Sequence, residues 1–118
     1  MKKAAVCAWL ALALGGCANV ADIEKTHETM DVISGKSPKD YAACLAQRLE
    51  SSRAPLTIED YKGGYRVIVP QKFSSSPAAV ILVTERSSGS AIKVHERLSN
   101  LPLRLHDVRN AATACISG

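Results

Sequence analysis

The residues able to do acid–base or nucleophilic work are few and scattered. The chain has three histidines, His27, His95 and His106, eleven acidic residues and four cysteines. A serine nucleophile on a strand–turn–helix elbow needs Gly-x-Ser-x-Gly, and no such run occurs. His106 adjoins Asp107, but sequence neighbours on a helix point in different directions, so both read as solvated. His27 lies in a polar stretch and reads the same way. Glu59 and Asp60 sit on an expected strand, where adjacent carboxylates face opposite sides. Neither His-Glu-x-x-His nor Cys-x-x-Cys is present, and no histidine stands at a ligand spacing from a cysteine. Gly63-Gly64 lacks the surrounding fingerprint of a phosphate loop. These residues predict a non-enzymatic protein with no cofactor and no metal.

One constellation remains. Tyr61, Arg66, Lys93, His95 and Arg97 fall on one face of an expected sheet. Basic and aromatic groups together can dock a protein or bind an anionic polymer, weakly and with salt sensitivity. They can also be no more than a solvated surface.

The elements that would position these residues begin at Ser37. Ser37-Pro38-Lys39-Asp40 offers a capping hydroxyl, a proline at the first helical position and an acid in the first turn. Tyr41, Cys44, Leu45, Arg48 and Leu49 then recur at helical spacing, the arginine lying along that face with its head in water. Pro55 ends any continuation. Leu56 to Lys62 and Tyr65 to Pro70 flank Gly63-Gly64 and predict a hairpin with Lys62 opposite Tyr65. In that register Leu56, Ile58, Val67 and Val69 share one face, and Thr57, Glu59, Tyr61, Arg66 and Ile68 the other. After a Ser-rich connection, Ala78 to Thr84 is apolar on both faces and predicts an inner strand. Ser87 to Ser90 turns the chain into Ala91–Leu98. There Ile92, Val94 and Leu98 alternate with Lys93, His95 and Arg97, and Glu96 falls on the apolar side near the margin. A last helix is expected from Pro102, with Leu101, Leu105, Val108, Ala112 and Cys115 on its apolar face. The expected fold class is α+β: a four-stranded antiparallel sheet with two helices on one face, in the order α-β-β-β-β-α.

Residues 1–18 carry a different kind of signal. Lys2 and Lys3 precede an uncharged run, Ala4 to Ala13, too short for the roughly 20 residues of a spanning helix. Such a run behind a basic head reads as a signal peptide. It ends in Leu14-Gly15-Gly16-Cys17, which resembles the lipobox of bacterial lipoproteins. The resemblance covers only these residues and implies cleavage before Cys17, with acyl chains on the thiol and on the new amine. Ala18 after the cysteine is compatible with sorting to the outer membrane of the bacterial envelope. The other reading is an ordinary secretory leader, cut after Ala11-Leu12-Ala13 or Gly16-Cys17-Ala18.

The lipoprotein reading divides the chain into a signal peptide over 1–16, a lipidated N-terminus and flexible tether over 17–36, and an α+β domain over 37–118. The polar stretch 18–36 keeps no lasting period beyond a transient helical turn near Ile23 to Met30, and a flexible chain of that length spans roughly 25 Å. Cleavage removes Lys2 and Lys3, leaving 13 basic against 11 acidic residues and a formal charge of +2. That is no nucleic-acid-binding composition. Of the cysteines, Cys7 leaves with the signal and Cys17 takes lipid. Cys44 and Cys115, both on apolar helix faces, remain to join in a disulfide as exported thiols do, or to stay as two buried free thiols. The expected partners are the membrane, through Cys17, and either an envelope protein or an anionic envelope polymer such as peptidoglycan or lipopolysaccharide.

Overall fold

The computed structural model describes residues 20–72, 76–97 and 106–117. The elements are β1 (Glu28–Ser34), α1 (Pro38–Leu49), β2 (Thr57–Tyr61), β3 (Gly64–Pro70), β4 (Pro77–Arg86), β5 (Gly89–Glu96) and α2 (Asp107–Ala114). A helical stretch at residues 20–24 precedes them. The strands form one sheet in the order β1-β5-β4-β3-β2, and every neighbouring pair is antiparallel.

The mixed α and β class is as expected, but the sheet has five strands, not four. The additional strand, β1, arises from residues 28–34, inside the stretch expected to be a flexible tether. It pairs with β5, Met30 opposite Val94 and Val32 opposite Ile92. Met30 and Val32 pack on the core, whereas Ile33 points the other way and is 60% exposed. Two apolar residues between polar ones make a weak period. The β5 edge supplies the hydrogen bonds that hold the strand, and that partner lies some sixty residues away in sequence.

Both helices cover one face. Ser37 Oγ accepts from the Asp40 amide at 3.2 Å, and Pro38 occupies the first turn of α1, as the sequence predicts. Tyr41, Ala42, Leu45 and Leu49 are buried, and Arg48 is exposed. Val108, Ala111 and Ala112 of α2 and the adjoining Cys115 complete the helical layer. The expected helix start near Pro102, with Leu101 and Leu105, lies outside the described residues, as does Leu98. Beneath the helices, Val67, Val69, Ala79, Ile81, Val83, Ile92 and Val94 form the sheet side of the core. Burying a side chain of this size stabilises by about 1.5–3 kcal/mol. Glu96 is on this side too, at the end of β5, 3% exposed and 3.8 Å from Arg109 Nη2.

The hairpin is shifted from its expected register by two residues. Tyr61 pairs with Gly64 and Asp60 with Tyr65, so the turn is Lys62-Gly63, with φ of 45° and 76°. Positive φ at both central residues is the pattern of the primed turn that suits strand twist. Gly64 belongs in the strand because a Cβ there would sit 1.9 Å from the Val83 carbonyl oxygen of β4. A shift of two leaves each side chain on its expected face, since strand alternation has period two.

Candidate functional site

The sheet face away from the helices carries the constellation singled out by its residue types. Strand β2 contributes Tyr61, β3 Arg66, β5 Lys93 and His95; Arg97 follows directly. Alternation brings Glu59, Arg66, Leu82, Lys93 and Asp31 into one row across the sheet.

Arg66 is the centre of this face. Its guanidinium carbon lies 4.6 Å from the centroid of the Tyr61 ring. Its Nη1 donates to Glu59 Oε1 at 2.9 Å and its Nε to Glu24 Oε1 at 2.5 Å. These bonds, that to Glu59 foremost, hold the guanidinium even more firmly protonated than usual, against a smaller cost of burial. Lys93 Nζ is 3.7 Å from Glu28 Oε1 and its side chain is 49% exposed. Arg97 is exposed, and its backbone amide donates to Ala78 O at 2.8 Å.

His95 departs from the expectation of a solvent-facing group. It is 6% exposed, with Nδ1 2.9 Å from the Thr26 carbonyl oxygen. A carbonyl can only accept, so Nδ1 carries the hydrogen in this arrangement. Ile23 is buried at 4%, and Val80, opposite His95 in register, is fully buried outside the core beneath the helices. The face is therefore not open. Residues 23–26 run from Arg66 on β3 to His95 on β5 and lead into β1, as a strap. Sequence reasoning missed it because one isoleucine, one carboxylate and one carbonyl have no period. The available signal was Ile23 itself, an aliphatic residue in a polar stretch.

The electrostatics follow. Arg66 is paired on this face with Glu24 and Glu59, and Lys93 with Glu28. Exposed ion pairs of this kind contribute little to stability, but they reduce the positive potential that an open basic face would project.

On the helix side, Asp107 is not solvated as expected. Arg53 Nε donates to its Oδ2 and Nη2 to its Oδ1, both at 2.8 Å, and Ser52 Oγ donates to Oδ2 at 2.9 Å. The Arg53 fork holds the carboxyl well below its usual range, at about 2, against the opposing effect of burial. Arg53 Nη1 also donates to Pro70 O at 3.0 Å, so the group ties the loop after α1 to both α2 and β3. His106 stays exposed. A recess of about 450 Å³ between the start of α1 and the β2–β3 turn is lined by Lys39 and Lys62, but also by Asp60 and Glu85. Among the described residues, no cluster of three or more His, Cys, Asp or Glu is placed to hold a metal. No described helix is long and apolar enough to cross a membrane.

Fold and surface together define a small two-layer α+β domain with disulfide-joined helices and a strapped sheet. Compared with protein-family models, curated proteins and solved structures, the chain matches none of them.

Proposed function

We propose that the protein is a lipoprotein of the bacterial envelope, lipid-anchored in the outer membrane, whose domain is a non-enzymatic structural or protein-interaction module. The observation that carries this reading is the Cys44–Cys115 disulfide. Disulfides persist in oxidising compartments and are rare in the cytosol, so this pairing supports an exported chain. That agrees with the leader-like residues 1–16 and with Cys17 as the acylated first residue. An interaction role is supported over catalysis because Arg66, Lys93 and Asp107 are held in pairs that fasten elements to one another.

The other reading, a module for an anionic polymer, is weakened by the carboxylates that already hold Arg66 and Lys93. Two measurements test the proposal. Intact mass of the native membrane protein should show residues 1–16 absent and Cys17 acylated; a water-soluble species with unmodified Cys17 would refute the anchor. Cross-linking in the intact envelope should capture a protein neighbour through the domain. If isolated peptidoglycan or lipopolysaccharide binds instead, and a Lys93→Ser, Arg97→Ser double variant loses that binding, the polymer reading replaces it.

A further inference from the structure

The strap changes how far the domain can stand from its anchor. Ile23 is buried, Glu24 holds Arg66 and the Thr26 carbonyl holds His95, so residues 23–26 belong to the domain. The leash between Cys17 and the helical residues 20–24 is then three peptide units, a reach of at most about 11 Å. The helical rise from Val20 to Ile23 adds only about 4.5 Å. The tether expected from sequence alone would have spanned roughly twice that leash.

The attachment point matters as much as the length. The strap lies on the sheet face away from the helices, with Glu24 above β3. Two packed layers with their side chains are on the order of 20 Å thick. A leash of about 11 Å cannot carry the chain around that thickness, so it cannot turn the helical layer toward the anchor.

We infer that the strapped sheet face is the membrane-facing surface of the domain, held against lipid headgroups by the short leash, with α1, α2 and the disulfide directed away from the bilayer. The inference rests on the lipid-anchor reading of Cys17. The occupant of this face is the headgroup layer itself. The surface suits it: among the described residues, Lys25, Lys93 and Arg97 are exposed there beside Asp22, Glu28 and Asp31, a mixture of both signs with Ile33 as the exposed large aliphatic side chain. A zwitterionic surface neither repels such a face nor needs to be anionic to accept it. The leash, not charge, sets the orientation. Partners of the protein then approach from the helical side.

The test uses residues 17–118 coupled through the Cys17 thiol to a maleimide lipid in zwitterionic nanodiscs containing a headgroup spin label. Cys44 and Cys115 are joined, so coupling is confined to Cys17. Paramagnetic broadening of backbone amide signals reads the orientation. Lys93 and Arg97 should broaden several-fold more than Gln47 of α1 and Asn110 of α2. A Gly-Ser insert of about ten residues after Ala18, adding a reach of roughly 17 Å, should remove most of that difference while leaving the domain's chemical shifts unchanged. Equal broadening of both faces, or greater broadening of the helices, overturns the inference. So does a difference that survives the insert, because the leash would then not be its cause. Because the lipid is attached chemically, native Cys17 found unmodified by mass would refute the anchor reading on a separate measurement.

Discussion

Tyr41 Oη donates to the Ala112 carbonyl oxygen at 2.6 Å, and three residues further along each helix Cys44 is bonded to Cys115. The chain just after α1 meets the start of α2 through Ser52, Arg53 and Asp107, and Ser34 just before α1 donates to the Ile116 carbonyl just after α2, so the two helices run in opposite senses over the sheet. The two links are rungs set one helical turn apart on each helix. Burial of the Tyr41 ring pushes its hydroxyl well above the usual phenol range, which keeps it a donor at any pH the protein meets.

Tyr41→Phe removes the polar rung and leaves the covalent one. The buried Ala112 carbonyl loses its side-chain donor, and the expected loss is about 1–2 kcal/mol. Urea denaturation under oxidising conditions should show a lower midpoint with an unchanged slope, since the surface buried is the same.

The covalent rung closes a loop with a sequence separation of 71 residues. In the chain-entropy account such a loop is worth about 4 kcal/mol, and its removal from small exported domains costs about 2–5 kcal/mol. Cys44→Ala with Cys115→Ala should lower stability by an amount in that range. Non-reducing peptide mapping of the native protein should recover the joined peptides.

Asp107 makes stability depend on acid. Its folded pKa of about 2 lies below the usual 3.8, so its contribution is complete above roughly pH 4 and is lost as pH falls through 2. The shift corresponds to an order of 2 kcal/mol. Asp107→Asn should flatten the stability profile between pH 4 and 2 and lower stability at pH 7, as read by thermal unfolding across that range. An unchanged acid slope in the variant would mean that Arg53 does not hold the carboxylate in solution.

Ile23→Ser should loosen the strap, at a cost of about 1.5–3 kcal/mol. Limited trypsin digestion reads this directly. The bond after Lys25 should resist cleavage in the native protein, while Thr26 is held to His95, and should be cut early in the variant. Early cutting in both proteins would show that the strap does not stay on the sheet.

Much of the domain was legible because its signals are local. The cap at Ser37, the three-and-four spacing through Tyr41 and Leu45, and the alternation of Ile92 with Lys93 depend on neighbours within a few residues. These signals determined the element types, the placing of Cys44 and Cys115 on inward helix faces, and the sheet face to which Arg66 and Lys93 belong. Periodicity assigns a face, but it does not name what lies across from it. The tertiary structure decided those partners. Strand β1 exists because β5 had an edge to fill, and the turn moved to Lys62-Gly63 because Gly64 must pass close to β4. His95 is buried and Asp107 paired because Thr26 and Arg53 reach them from 69 and 54 residues away. Contacts at such separations are selected by the packing of the whole chain, and a buried histidine and a solvated one have the same letters around them.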